Sequence, residues 1–395
     1  MLTRESTTLL ASRTIWGGEF ENIQAARSIY HPQTGQTVVL ASIQPVGGSY
    51  GLWCFLVKGG VVTGPLDLGI SWDQYYYHLY CDKNTGTILM VAPGVTLARV
   101  DVSLGSATAA GPWTGFNGFH PVDGAAFLPY EDALCFTAAD DFYFVGSWSN
   151  AEPYTPTHLA ARRYTWTGSS YAMSTDLDII LDDNRPALYN VSAHRGQDND
   201  KIAVFANRFS EAVTVCCTGT ATVGTLNIQS TTIFNGGATQ VQDPYIDFSS
   251  SPSLVLFHNL KVWPEITYLS HGLLAETLVL TGEYTQWNNV SLRRELAVDN
   301  SRGFCAALHQ QGVVSSVLVV DKFGEIIGDL TRLTQSSSSQ RSSLTINPVD
   351  DKIYAIAYET SSTSTYADRG LNLITLSAPV LQFWTNFVGQ SERPA

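Results

Sequence analysis

The chain is poor in charge. Only 14% of its 395 residues are Asp, Glu, Lys or Arg, against roughly 25% in an average soluble domain. Lysine is scarcest, with six copies, and the net charge is −13. The longest basic runs are Arg162-Arg163 and Arg293-Arg294. A nucleic-acid partner needs a basic stripe to displace counterions, and none is present. Anionic lipid would repel such a chain as well.

Long apolar runs are also missing. No segment approaches the ~18 uncharged apolar residues of a membrane-spanning helix, so no membrane insertion is expected. The opening "MLTRESTTLLASRTIW" lacks the apolar core of a signal peptide, which points to synthesis in the cytoplasm. Without such a signal, the sequons at Asn190 and Asn289 read as chance matches.

Cysteine spacing excludes a disulfide framework. Cys54, Cys81, Cys135, Cys216, Cys217 and Cys305 are scattered, mostly inside apolar runs. They read as small buried thiols in a reducing compartment. Metal-ligand spacing is absent, and so are H-E-x-x-H, G-x-S-x-G, the Walker loop and a G-x-G-x-x-G before a helix. Neither a metal nor a cofactor is expected.

What the sequence does contain is a repeat. "ARSIYHPQTGQTVVLASI", "YHLYCDKNTGTILMVAPG" and "SSLTINPVDDKIYAIAYE" are three versions of one hairpin. Aligned on it, first strands end near Tyr30, Tyr80, Leu128, His194, Phe248, Val298 and Ile346, at gaps of 50, 48, 66, 54, 50 and 48 residues. A polar turn follows each: "HPQTGQ", "CDKNTG", "PYED", "RGQDND", "SSSPS", "DNSRG" and "NPVDD". Pro, Asp, Asn and Gly dominate because they preset φ, accept local hydrogen bonds or tolerate positive φ. Second strands such as "TVVLASI" and "KIAVFA" are near-continuous apolar runs, as in strands covered on both faces. A third strand recurs, and a weaker, more polar fourth follows it six times. The seventh fourth strand is missing after "LNLITLS", but the N-terminal "TTLLASRTI" has its pattern.

Four-stranded units at this period must stack to bury their faces. The chain thus resembles the seven-bladed β-propeller over residues 5–378. That implies an all-β fold of four-stranded antiparallel blades, closed by the N-terminal strand pairing with the last blade. Blades are expected at 22–70, 71–118, 119–185, 186–238, 239–285, 286–334 and 335–378, the last completed by 5–16. A sandwich array would not repeat one hairpin at near-constant spacing. The repeating WD dipeptide, the kelch glycines and the sialidase Asp box are all missing. No family's active-site residues therefore carry over.

Segments entering each first strand gather the chemistry. Carboxylates there are Glu21, Asp73, Asp123 and Asp243. Aromatics are Trp72, Tyr75, Tyr77, Tyr245 and Trp287, and cations are Arg185 and Arg341. In a propeller these segments reach the channel mouth. Carboxylates beside aromatic platforms suit sugar, and a carboxylate pair at the right separation could hydrolyse a glycoside. The same residues also suit turn capping. His31, His78, His120, His194 and His258 share hairpin positions and read as turn or rim residues.

Two further segments suit partners. The third unit has an apparent insertion at 140–158 carrying Trp148, and the 379–395 tail carries Phe383, Trp384 and Phe387. The Ser/Thr/Gly-rich, lysine-poor composition resembles phage and viral structural proteins. The leading expectation is a non-enzymatic, virion-associated propeller, part of a tail-like assembly. It would bind other structural proteins and a surface glycan. A glycoside-hydrolase-like enzyme acting at the mouth and an intracellular protein-binding scaffold remain alternatives.

Overall fold

The computed structural model describes residues 2–13, 18–92, 96–114, 116, 118–119, 126–138, 140–149, 158–174, 179–182, 188–195, 201–208, 213–235, 241–247, 253–262, 265–274, 277–287, 294–299, 304–311, 314–321, 326–335, 343–359 and 370–377. Every regular element among them is a β-strand. The chain divides into two compact units, one holding 1–75, 103–107 and 290–395, the other 76–102 and 108–289.

In the first unit, β1 (Thr3–Ala11) precedes the sheet β2 (Phe20–His31), β3 (Gln36–Pro45), β4 (Gly51–Lys58) and β5 (Val61–Ser71), paired in that order. In the second unit, β6 (His78–Cys81), β7 (Ile88–Ala92), β8 (Thr96–Ser103) and β9 (Ser106–Trp113) form a sheet whose β8–β9 turn belongs to the first unit. The next sheet holds β10 (Gly118–Phe119), β11 (Ala126–Ala138), β12 (Asp141–Ser149), β13 (His158–Trp166), β14 (Tyr171–Met173) and β15 (Ile179–Asp182). Both β14 and β15 pair with β13, so they split one outer strand in two. Then come β16 (Leu188–Arg195), β17 (Lys201–Arg208), β18 (Val213–Thr222) and β19 (Thr225–Asn235). The unit's last sheet is β20 (Val241–Asp247), β21 (Ser253–Val262), β22 (Glu265–Leu274) and β23 (Thr277–Trp287).

The first unit resumes with β24 (Arg294–Asp299), β25 (Phe304–Gln311), β26 (Val314–Asp321) and β27 (Ile326–Gln335). It ends with β28 (Ser343–Asn347), β29 (Lys352–Glu359) and β30 (Gly370–Ser377). The strand order of this final sheet is β1-β30-β29-β28. The expected N-terminal strand is therefore in place, in antiparallel register from Thr3 opposite Ser377 to Ala11 opposite Leu371. Tight packing fixes the crossing: a Cβ on Gly370 would meet the Ala11 carbonyl oxygen at 2.2 Å.

Burial explains the apolar runs. Every residue of β28, and all of β30 but its last, is buried. One face of the final sheet packs Tyr354, Ile356, Leu371 and Leu373 against Ile23, Val39 and Phe55 of the β2–β5 sheet. The other packs Ile353, Ala355 and Ile374 against Ala306, Val317 and Val319. In the second unit, Leu89 and Val91 meet Phe142, Phe144 and Tyr164, while Val145 and Leu159 meet Val204 and Cys217. Each sheet is too thin to form a core alone, so stacking supplies the second layer.

The recurring turns share a cause. Gly35 and Gly86 adopt φ of 66° and 78°, and Asp351 takes 57° at the matching place in the final sheet. The left-handed residue lets the chain reverse, and Asp tolerates that conformation better than most side chains.

The third repeat needs correction. "PYED" is not its hairpin turn. Pro129 faces Gly146 and the next pair is Leu134 with Phe144, so 130–133 bulge from one continuous strand, β11. Proline is tolerated at such an irregularity because no ladder hydrogen bond is required there. "ALCFTA" finishes the first strand. The second strand is β12, which sequence reading assigned to an insertion. First strands now end at His31, Cys81, Ala138, Arg195, Asp247, Asp299 and Asn347, between 48 and 57 residues apart. With β11 running to Ala138, the outlying gap of 66 residues disappears.

Candidate functional site

Strand β2 carries two irregularities where it enters its sheet. Phe20 faces Pro45 and Asn22 faces Gln44, leaving Glu21 as an extra, exposed residue. Ile23 faces Ile43 and Ala25 faces Ser42, leaving Gln24 as a second one. Bulges of this kind re-aim side chains. Gln24 turns inward, where Ser42 Oγ lies 3.0 Å from its Oε1 and 2.5 Å from the Trp72 carbonyl oxygen. The segment following β5 is thereby tied to β3.

Tyr50 completes the arrangement. Its phenol oxygen accepts a hydrogen bond from Asn22 Nδ2. Its carbonyl accepts the Trp72 N–H at 3.2 Å and the Ser71 hydroxyl at 3.4 Å. Two of the predicted carboxylates, Glu21 and Asp73, are thus each one residue along the chain from a partner of Tyr50, and both are exposed. Sequence reading missed Tyr50. Its only signal was its position after "PVGGS", where a turn re-enters a strand.

The predicted aromatics divide sharply. Trp72 is 1% exposed and Tyr77 is fully buried, while Tyr75 is 61% exposed. Trp72 and Tyr77 are core side chains and present no ring to a ligand. Asp243 and Tyr245 lie on β20 and Trp287 ends β23, their side chains outside the described residues. Asp123, Arg185, Arg341, Phe383, Trp384 and Phe387 lie outside the described residues altogether. Trp148 sits on β12 opposite Phe127. His31 is buried in the first hairpin, its Nδ1 2.8 Å from Thr34 Oγ1.

Cys54, Cys81, Cys135 and Cys217 are free thiols. Burial pushes the Cys54 thiol up to about 12, so it is protonated and unreactive at neutral pH. Among the described residues no three His, Cys, Asp or Glu side chains gather as a metal site. No helix among them is long and apolar enough to cross a membrane.

No protein-family model matches the chain, and no curated protein sequence matches it. Solved structures do. The β-propeller domain of Cps50 (Swd1) from Myceliophteria thermophila is 10% identical, with a TM-score of 0.50 over 91% of this chain and 99% of that one. An oligogalacturonate lyase in complex with manganese is 9% identical, with a TM-score of 0.52 over 97% and 99%. Prolyl oligopeptidase B from Galerina marginata is 9% identical, with a TM-score of 0.50 over 89% of this chain, which spans half of that protein's length. At such identities the likeness is one of fold. The chain is a β-propeller whose antiparallel sheets are four-stranded except for the six-stranded sheet β10–β15.

Proposed function

We propose that the chain is a seven-bladed ring serving as a non-enzymatic interaction module, a component of a virion or tail-like assembly. Its loop faces bind neighbouring structural proteins and a surface glycan. One observation carries this most. At the mouth of the β2–β5 sheet the large aromatic Trp72 is used up in the core, and the groups left at the surface are Glu21, Asp73 and Tyr75. Exposed carboxylates beside an exposed tyrosine suit a polar docking rim. The net charge of −13 favours protein or neutral glycan over nucleic acid or anionic lipid.

Cross-linking mass spectrometry on the native complex tests it. Expected are links from the loop faces to other structural proteins of one particle. A monomeric chain that captures no partner and turns over a glycoside would contradict it.

A second reading draws on the same geometry. Glu21 and Asp73, each exposed and next in the chain to a partner of Tyr50, would give a carbohydrate-active enzyme two carboxylates to work with, and such pairs act when ~5–10 Å apart. Turnover of an aryl glycoside, abolished by Glu21→Gln or Asp73→Asn, would favour this reading. No turnover across a broad panel would remove it.

A further inference from the structure

We infer that the second unit holds a neutral hexopyranose where its β6–β9 and β10–β15 sheets meet, against Trp113 and Trp166 and hydrogen-bonded to Asp101 and Asp140. This rests on the interaction-module reading and specifies its glycan ligand. None of these residues belongs to the mouth at Tyr50.

The starting point is Arg99 on β8. Its guanidinium lies 5.0 Å from the centre of the Trp166 ring. Its Nε donates to Asp101 and its Nη1 to Asp140, each at 3.0 Å. The arginine side chain is only 16% exposed, whereas Asp101 and Asp140 are 50% and 66% exposed. The carboxylates are thus fixed in position by a half-buried cation yet keep oxygens in water. Fixed acceptors bind hydroxyls without paying to order themselves first.

Aromatic surface lies alongside. Trp113 meets Trp166 edge to face with ring centres 5.4 Å apart, and Tyr171 packs on both indoles. Tyr171 is buried, but both tryptophans stay half-exposed. Both indoles pack against the core and Arg99 lies over the Trp166 ring, so the apolar surface offered to the C–H face of a sugar is the remaining, solvent-facing part of each. Charge selects the class. One arginine against two aspartates leaves the site net negative, so sialic or uronic acids are repelled and neutral hexoses accepted.

The test is saturation-transfer NMR on the full chain. The probes are methyl glycosides of glucose, galactose and mannose, with sialyllactose and pentalysine as charged comparisons. At least one neutral glycoside is expected to bind through its C–H face. Asp140→Asn should weaken it by about tenfold or more, the value of one lost charged hydrogen bond, and Trp113→Ala by about tenfold through lost apolar contact. Asp140 is exposed, so its variant should keep the wild-type circular dichroism and melting curve. Three results would overturn the inference: no neutral glycoside binds, binding survives both substitutions, or only a charged probe binds. Sugar binding lost while cross-links to partners persist would sink this inference alone. Sugar bound with no partner captured would sink the assembly reading alone.

Discussion

Asp141, at the start of β12, accepts the backbone N–H of Gly224 at 3.2 Å, from the β18–β19 turn of the following sheet. The same carboxylate accepts Arg163 Nε at 2.5 Å and the Thr137 hydroxyl. The final sheet repeats the device. Asp350, in the hairpin before β29, accepts the Tyr354 hydroxyl, which in turn accepts the Gly60 N–H of the β4–β5 turn at 3.2 Å. In both units an aspartate at a first hairpin secures the outer turn of a neighbouring sheet. Apolar faces supply most of the attraction between sheets. The aspartates fix the register of the stacking.

Replacing Asp141 should therefore be costly. Its side chain is 4% exposed, and Asp141→Ala withdraws an acceptor shared by three donors. Removing one member of a buried ion pair typically costs about 3 kcal/mol or more. Urea unfolding should show the midpoint falling with an unchanged slope. A loss below about 1 kcal/mol would mean that the clasp is ornamental.

Gly35 and Asp351 occupy equivalent left-handed positions but should respond in opposite directions. Gly35→Ala imposes strain of about 1–2 kcal/mol, and its Cβ would press on Val349 Cγ2 at 3.3 Å. Asp351→Gly relieves the left-handed side chain and should be neutral or slightly stabilising. Thermal melting of the two variants checks the pair.

How much of this was legible in the sequence differs by region. The hairpins at 26–43, 77–94 and 342–359 could be read because turn residues interrupt apolar runs cleanly. The donated strand could be read because its pattern was missing elsewhere. The third repeat misled because Pro129 beside Glu131-Asp132 imitates a turn, and only pairing partners distinguish a bulge from a reversal. The mouth was half legible. Composition marks Trp72 and Tyr77 as platforms as readily as core, because an aromatic side chain serves either role. Tyr50 and the Arg99 cluster were invisible, since both depend on contacts between distant segments.

The seam at the chain's first strand should respond to acid. The Glu5 carboxyl is held below the usual range chiefly by the hydrogen bond from Lys352, 2.6 Å away. A lowered carboxylate pKa stabilises the fold above its unfolded value, ~4.3, and that stabilisation disappears as pH falls through the folded value. Glu5→Gln should thus lower the melting temperature at pH 7 and converge with wild type near pH 3. The effect stays small, because an exposed pair contributes at most about 1 kcal/mol. Asp350 runs the other way. Burial raises its pKa despite the Tyr354 hydrogen bond, so its contribution favours the fold at low pH and fades as pH rises through the folded value.

The buried thiols predict selective protection. At pH 8 the Cys54, Cys135 and Cys217 side chains should resist iodoacetamide in the native protein and react fully in urea, as read by peptide mass spectrometry. Rapid native labelling of Cys54 would contradict its placement in β4, facing the core.

Electron cryomicroscopy of the chain in its native complex is the most direct test of the central claim. Seven sheets should surround one axis, with residues 3–11 completing the sheet formed by 343–377 and the loop faces seated on neighbouring subunits. A different number of sheets, residues 3–11 lying elsewhere, or a particle in which the loop faces touch nothing would contradict it.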